Sequence, residues 1–425
     1  MGLRKLATNS ARLLRGTALS ALLNVIAVTL AAKSLDTASF GAYALLTGYA
    51  TFVSNLADPI TWQALIKFGS DVSRDIGKHA EYVRLSIFLD VAAMLLASAA
   101  ILTIGPWAFD IFGISHEYLH VLWMLAVLTL FRAQGTLIGL LRLNDNFAAL
   151  SWHRPIASVV LLFEFGALSV GRHPVEQYVL AFVVSEITAA VYIAAAAYRH
   201  FPHLSSTKWL SPRIGLSREE LGAFGRFLLL TKGTATLNVL PISADILVVG
   251  SVLGEVGAGL YRVVRLFAQV PAIIQAPIYQ AIYPQIAALI AKDDVRAVRR
   301  LAALTSLGVS SIYLLYLLAF MVLGKTIVTS FYGETYVALW STAVVLLAGF
   351  VVAGLALPLS PIALSVGRPD ILLRTSLVSV GLYFGLAVVL MKSLGLVGIG
   401  FANIIFYVVH ACLLLFQVRS LVLKS

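Results

Sequence analysis

The chain contains 425 residues, of which 60% are hydrophobic and 12% are charged, and its mean hydropathy is +0.92. Soluble domains carry about a quarter charged residues, so this composition excludes an ordinary soluble protein. The formal net charge is +11, but no soluble basic domain is present that could present this charge to a nucleic acid, and we expect no nucleic-acid partner.

Long apolar stretches recur along nearly the whole sequence. Each is long enough to cross about 30 Å of hydrocarbon as a helix, and the alternating pattern of barrel strands is absent. Backbone amides in lipid must be hydrogen-bonded within their own segment, so helices are the remaining solution. The sequence therefore predicts an all-α polytopic membrane protein with about twelve transmembrane helices. The predicted segments are 14–34, 40–66, 82–104, 118–141, 150–171, 176–198, 224–252, 257–286, 302–324, 336–358, 371–391 and 395–418.

The first predicted segment follows a basic stretch that contains Arg4, Lys5, Arg12 and Arg15, and its apolar run covers residues 16–35. This arrangement is also typical of a secretory signal peptide. The apolar run is too long for a signal peptide, however, and further apolar segments follow it. We therefore expect the first membrane helix at this position.

Lysine and arginine are unevenly distributed between the predicted loops. Counted in the predicted loops and at the adjoining ends of the segments, 23 of the 31 basic residues, Arg142 and Arg154 among them, fall on the side of the membrane that carries the N-terminus. Four fall on the other side: Lys33, Arg172, Lys325 and Lys392. An excess of basic residues is typical of cytoplasmic loops. The distribution therefore predicts that both termini are cytoplasmic.

Several residues recur at a constant offset of 218 positions, about half of the chain. The pairs are Gly41 and Gly259, Tyr43 and Tyr261, Pro59 and Pro277, Tyr118 and Tyr336, and Leu35 and Leu253. This offset favours two six-helix repeats, which would both begin in the cytoplasm, as in alternating-access transporters. We expect lobes at residues 1–198 and 224–425. The basic linker between them, residues 199–223, would contain a cap at Ser217 to Glu220 that opens a short interfacial helix.

Two parts of the sequence resemble a known family. Residues 32–43, AKSLDTASFGAY, resemble the signature Arg-x-Leu-Gly-x-x-x-Phe-Gly-x-Tyr, which follows the first helix of polysaccharide-transport proteins. These proteins are the Wzx-type flippases, and they belong to the multidrug/oligosaccharidyl-lipid/polysaccharide (MOP) exporter superfamily. Asp36 and Pro59 depart from the family pattern, since each stands where the family has a glycine. The second part resembles the family's seventh and eighth helices, at residues 245–250, Gly257, residues 259–261, Arg265, Leu266 and residues 283–284.

The resemblance implies two six-helix lobes around a central cavity. It implies a flippase that carries a lipid-linked (undecaprenyl-pyrophosphate) oligosaccharide across the bacterial inner membrane for O-antigen, capsule or exopolysaccharide assembly. The partners it implies are that oligosaccharide and membrane lipids, together with polysaccharide polymerase and chain-length proteins.

Charged residues inside the predicted segments are the candidate functional residues, because a charge at the bilayer centre costs about 2.5–3.5 kcal/mol. Arginine suits phosphate oxygens, and the candidate substrate-binding residues are Arg265, Arg262, Arg132, Lys232 and Lys33. Snorkelling, or pairing with Asp245, is the alternative for Arg262 and Arg265. The candidate residues for ion coupling or structural charge pairs are Asp245, Asp58, Glu164, Glu186 and Asp90. Prolines permit bending, and the candidate hinges are Pro271, Pro277 and Pro241.

Catalytic signals in the sequence are weak, and no ATPase module is found. The pair Asp293 and Asp294 lacks a nucleotide-binding context, there is no Gly-rich phosphate loop, and the eight histidines lack ligand spacing. We therefore expect a transporter rather than an enzyme, with no cofactor and no metal. Coupling to a proton or sodium gradient, or consumption of the substrate, would supply the energy.

Two other functions are compatible with a polytopic helical protein. A multidrug exporter of the same superfamily would favour acidic cavities that bind cations. The excess of basic residues inside the predicted segments argues against this function. A polysaccharide polymerase or ligase usually needs a sizeable periplasmic loop, and the predicted outer loops are short. The flippase is the leading interpretation.

Overall fold

The computed structural model describes residues 3–71, 76–200 and 215–422, and these residues form helices and no strand. The all-α fold class is confirmed. The described α-helices are α1 (Leu3–Ser34), α2 (Thr37–Ala57), α3 (Thr61–Asp71), α4 (Ile76–Phe112), α5 (Leu122–Leu130), α6 (Gly135–Leu143), α7 (Phe147–Leu168), α8 (Val175–His200), α9 (Arg218–Ile290), α10 (Val295–Tyr332), α11 (Leu339–Ala356), α12 (Leu359–Ser365), α13 (Pro369–Leu394) and α14 (Val397–Val422).

Nine stretches of the described chain are helical, long and apolar enough to cross a membrane. The predicted segments 40–66 and 150–171 have no such stretch of their own, and 224–252 and 257–286 share one, Val239–Gln275. The protein is therefore a multi-pass membrane protein, and the number twelve stays a prediction.

Two predicted segments are interrupted by short non-helical stretches. In segment 40–66, α2 ends at Ala57 and α3 begins at Thr61; Ile60 between them has a positive φ of 60°. Pro59 lies at this break, where its missing N–H cannot continue the helix. In segment 118–141, residues 131–134, which include Arg132 and Gln134, separate α5 from α6. Both breaks lie within predicted membrane segments, where free backbone polar groups are tolerated if they are buried in protein or line a cavity.

Helix α9 contains a sharp interruption at Gly254, which has φ 66° and ψ −167°. A residue with a side chain rarely adopts this conformation, so glycine is required there. We call the part of the helix before Gly254 α9a and the part after it α9b. The candidate hinges Pro241, Pro271 and Pro277 all lie within helical stretches of α9, and their role as hinges stays a prediction.

Pro271 illustrates how α9b retains its structure around a proline. A proline cannot donate to the carbonyl four residues earlier, here that of Phe267. The hydroxyl of Tyr316 on α10 donates to this carbonyl at 3.1 Å, and the hydroxyl of Tyr313 donates to the carbonyl of Pro271 at 3.0 Å. The freed backbone acceptor is therefore satisfied by the neighbouring helix.

The chain divides into two compact units. Unit 1 consists of residues 1–35 and 45–243, and unit 2 consists of residues 36–44 and 244–425. Of the three boundaries between the units, one falls between α1 and α2, one inside α2 and one inside α9. The predicted lobes, with a linker at 199–223, stay a prediction, and residues 201–214 of that linker lie outside the described residues.

Unit 1 contains the start of α9, which is fastened to α4. Glu220 accepts a hydrogen bond from the backbone N–H of Ser217, and Ser217 Oγ accepts one from the N–H of Glu220. This confirms the predicted cap, although the cap opens the long helix α9 rather than a short interfacial one. Lys78 donates to Glu220 at 2.8 Å, and together with the Ser217 bonds it holds the pKa of Glu220 at about 2. Glu81 accepts from the N–H of Gly215.

Unit 2 contains a close helix crossing between the start of α2 and α9b. A Cβ atom on Gly41 would collide with the carbonyl of Glu255, and one on Gly259 would collide with the carbonyl of Thr37. Gly41 and Gly259 are one of the pairs found at the constant offset, and they lie directly against each other. Small residues allow helices to approach this closely in a membrane.

We expect Gly41→Ala to destabilise unit 2, because the added methyl must push two backbones apart. Overpacking of this kind costs about 1–3 kcal/mol. Gly381→Ala on α13 is the matched control, since nothing lies within 4 Å of the Cβ it would gain, and alanine favours helix over glycine by about 1 kcal/mol. Thermal unfolding of the purified variants in detergent checks this: Gly41→Ala should melt below wild type and Gly381→Ala should not. Equal melting temperatures would contradict the crossing.

Candidate functional site

Unit 1 contains a partly open cavity of about 210 Å³. Its lining is strongly charged, and it combines residues from the C-terminal end of α2, from α3, α4, α6, α7 and α8, and from the break between α5 and α6. Three arginines and two carboxylates line it: Arg132, Arg142, Arg154, Asp58 and Glu186. With the carboxylates ionised, the lining carries one net positive charge.

The break between α5 and α6 positions Arg132 and is held by Asp90. Asp90 on α4 accepts hydrogen bonds from the backbone N–H of Thr136 at 2.7 Å, from the Thr136 hydroxyl at 2.6 Å and from the Thr61 hydroxyl at 2.6 Å. It therefore caps the start of α6, where a carboxylate also complements the helix dipole. Of the two roles predicted for Asp90, the contacts favour the structural one.

Gly135 allows this arrangement to form. A Cβ atom at this position would collide with the Thr61 hydroxyl and press on the Asp90 carboxylate. The first residue of α6 therefore has to be a glycine for the carboxylate of α4 to reach the next N–H.

Glu186 on α8 lies between two of the cavity's arginines. Its Oε2 is 3.4 Å from Arg132 Nη2, and its Oε1 is 3.7 Å from Arg154 Nη1. Both separations exceed the 2.7–2.9 Å that is usual for a charge-assisted hydrogen bond. The carboxylate is therefore shared loosely between the two guanidinium groups.

Arg142 contributes to the cavity in a different way. Its guanidinium carbon lies 3.9 Å from the centre of the Trp62 ring, which is a cation–π geometry. No ion pair of Arg142 is found in the described part of the chain, and its buried Nε has no hydrogen-bond partner there. Arg142 is thus oriented by an aromatic face and keeps unused donors.

Asp58 lines one margin of the cavity, and Lys232 binds to the helix that precedes it. Asp58 Oδ1 accepts a hydrogen bond from the N–H of Ile60, so it holds the turn between α2 and α3. Lys232 on α9a donates to the carbonyl of Asn55 at 2.8 Å, in the last turn of α2, where a cation complements the helix dipole. Asn55 and Asp58 line the cavity.

Unit 2 contains a second charged cluster, centred on the buried Asp245. Its carboxylate accepts hydrogen bonds from Tyr261 Oη at 2.9 Å and from the N–H of Ile246 at 2.7 Å, and it pairs with Arg265 Nη1 at 3.0 Å. Arg265 is therefore paired with Asp245, the alternative that the sequence left open. Arg262 lies beside this cluster, and its buried Nε has no hydrogen-bond partner among the described residues.

The predicted site residues thus fall into separate groups. Arg132, Glu186 and Asp58 line the cavity of unit 1, whereas Arg265, Arg262 and Asp245 form the cluster of unit 2. Lys33 is exposed at the end of α1. Glu164 on α7 is partly buried, and its Oε2 has no hydrogen-bond partner in the described chain. Substrate binding by any of these residues stays a prediction.

Sequence reasoning missed Arg142, Arg154 and Trp62. The two arginines were counted as loop residues that indicate topology, but Arg142 belongs to the last turn of α6 and Arg154 lies within α7. One signal was available: Arg132 and Gln134 interrupt an apolar segment and indicate a break that basic residues nearby could line.

Comparison with known proteins identifies the family. The family model described as polysaccharide biosynthesis protein matches residues 6–290, which is more than half of the chain, and the chain belongs to this family. The chain is similar to the inner membrane protein YghQ of Escherichia coli (strain K12), with 23% identity over 345 residues that cover 78% of this chain and 94% of YghQ.

Solved structures of the MOP superfamily share the fold. The lipid II flippase MurJ in an inward closed conformation has a TM-score of 0.77 and 13% identity, and the match covers 95% of this chain and 86% of MurJ. An inward-facing multidrug resistance MATE family transporter has a TM-score of 0.75 and 16% identity, with 95% of both chains covered. At this level of identity the likeness concerns the fold. The resemblance found in the sequence, to polysaccharide-transport proteins of this superfamily, is confirmed.

Proposed function

We propose that the protein is a flippase that moves a lipid-linked oligosaccharide, carried on a prenyl diphosphate such as undecaprenyl pyrophosphate, across the bacterial inner membrane. The observation that carries this proposal is the cavity of unit 1, where Arg132, Arg142 and Arg154 face a common space. Guanidinium groups bind phosphate oxygens through paired donors. The fold shared with a lipid II flippase and the polysaccharide biosynthesis family support the same substrate class.

The protein acts by transport and not by catalysis in this proposal. Alternating access would expose the cavity to each side of the membrane in turn. Its partners would be the lipid-linked glycan and membrane lipids, with polysaccharide polymerase and chain-length proteins acting on the product. Proton or sodium coupling would supply energy, and the acidic side chains within helices are the candidate groups for it.

Reconstituted transport tests the proposal against its rivals. The purified protein is placed in liposomes together with a fluorescent prenyl-diphosphoryl sugar, and the fraction of probe in each leaflet is followed by chemical quenching. We expect the protein to accelerate the exchange of this lipid between leaflets and to leave the sugar unchanged. Export of an organic cation without movement of the diphosphate lipid would identify a multidrug exporter, and lengthening of the glycan would identify a polymerase.

The proposed orientation places both termini in the cytoplasm, with Gly113 and Tyr332 on the periplasmic side. Single cysteines can be introduced at these positions after Cys412 is replaced by alanine, with Asp293→Cys as the cytoplasmic control. We expect an impermeant maleimide to label positions 113 and 332 in intact cells, and position 293 only after lysis. Labelling of position 293 but not of position 113 in intact cells would show that the topology is the reverse of the one proposed.

A further inference from the structure

Glu186 occupies the space between Arg132 and Arg154, where an anionic ligand of these arginines would bind. One carboxylate oxygen faces each arginine, at 3.4 and 3.7 Å. The Arg154 side chain is 66% exposed, so it can leave Glu186 without breaking a packed core. Arg132, Glu186 and Arg154 therefore form a loose set of ion pairs that can rearrange when a ligand binds.

The other titratable side chains that line the cavity are held in place by neighbouring groups. Asp58 is tied to the N–H of Ile60 and holds a turn. His153 lines the cavity beside Arg154 and is buried. Arg142 is stacked on Trp62 and pairs with no carboxylate in the described chain. Of the cavity's three arginines, Arg132 and Arg154 thus share the single carboxylate of Glu186, whereas Arg142 has no carboxylate partner among the described residues.

We infer that Glu186 is a built-in competitor for the anion site, which the diphosphate of the substrate displaces more readily than a monophosphate does. This inference rests on the proposed function and deepens it, because it assigns the choice between phosphate classes to one residue. Glu186 lies between Arg132 and Arg154 and offsets the repulsion between their like charges.

Charge balance explains why displacement selects a diphosphate. A prenyl-phosphoryl sugar carries one negative charge, so in displacing Glu186 it replaces one anion by another and gains little. A prenyl-diphosphoryl sugar carries two, so it can replace Glu186 and still engage Arg142. The competing carboxylate raises the dissociation constant of both ligands, but it penalises the monophosphate more, which is a form of specificity through repulsion.

Binding measurements on the full-length protein in detergent test the inference. The probes are two short-chain lipids with the same farnesyl tail and the same N-acetylhexosamine, one joined through a diphosphate and the other through a monophosphate. We expect wild type to prefer the diphosphate. Glu186→Gln should bind the monophosphate at least about tenfold more tightly than wild type does, in line with the coupling of close charge pairs, and the preference for the diphosphate should shrink.

Two further variants keep the test decisive. Glu186→Asp retains the charge and should retain the preference, which provides the comparison if Glu186→Gln folds poorly. Glu117→Gln makes the same chemical change at an exposed position of unit 1 and should match wild type.

The outcomes separate the inference from the proposed function. If wild type binds the diphosphate probe but Glu186→Gln leaves both dissociation constants unchanged, or Glu186→Asp loses the preference as Gln does, the competitor role is overturned and the flippase proposal stands. If wild type binds neither probe, the proposed substrate class fails, and the inference fails with it.

Discussion

Arg142→Ala is expected to slow the exchange of a prenyl-diphosphoryl sugar between leaflets by about ten- to a hundredfold. Arg142 lines the cavity with its guanidinium stacked on Trp62, and no carboxylate of the described chain neutralises it. Hydrogen bonds to charged groups contribute about 1.5–3 kcal/mol, and about 1.4 kcal/mol corresponds to a factor of ten. The reconstituted exchange assay measures the effect directly.

Two variants identify the cause of the Arg142 effect. Arg142→Lys keeps the charge but loses the planar fork and its stacking on Trp62, so its rate should lie between those of wild type and Arg142→Ala. Arg172→Ala removes an exposed arginine from the turn between α7 and α8 and should exchange lipid at the wild-type rate. If Arg142→Ala folds and also exchanges lipid at that rate, the cavity does not bind the headgroup.

Arg265→Ala is expected to destabilise unit 2 by about 3–5 kcal/mol, because it leaves the buried carboxylate of Asp245 without its cationic partner. Asp245 would retain hydrogen bonds from Tyr261 and from the N–H of Ile246, but neither donor carries a charge. The free energy of unfolding in mixed detergent micelles measures the loss.

The double variant Asp245→Asn/Arg265→Gln is the matched control for this pair. It removes both charges and keeps side chains that can hydrogen-bond, so it should be more stable than Arg265→Ala. It should also be more stable than the summed effects of Asp245→Asn and Arg265→Gln, each made alone, would give. We expect it to retain lipid exchange. If it unfolds like wild type and yet loses lipid exchange, Arg265 takes part in transport, as the sequence analysis first predicted.

The fold class could be predicted because its signals are local. Apolar segments of membrane-spanning length and the lack of strand alternation are properties of short stretches of sequence. The cap of Ser217 and Glu220 is equally local and was also predicted correctly. The break at 58–60 could have been placed, because Pro59 marks it.

The candidate site depends on contacts between distant residues, which one sequence does not show. Asp90 caps α6 from 46 positions away, and Glu186 meets Arg132 from 54 positions away. Arg142 and Arg154 were misread because basic residues near helix ends usually report topology. Their participation in a cavity became visible only once α3, α6, α7 and α8 were packed together.

A structure of the protein with a bound prenyl-diphosphoryl sugar tests the central claim most directly. We expect the diphosphate in the cavity of unit 1, with its oxygens about 3 Å from Arg142 and from Arg132 or Arg154, and with Glu186 displaced from at least one arginine. A headgroup bound at Arg262 and Arg265, with Glu186 still between Arg132 and Arg154, would contradict it.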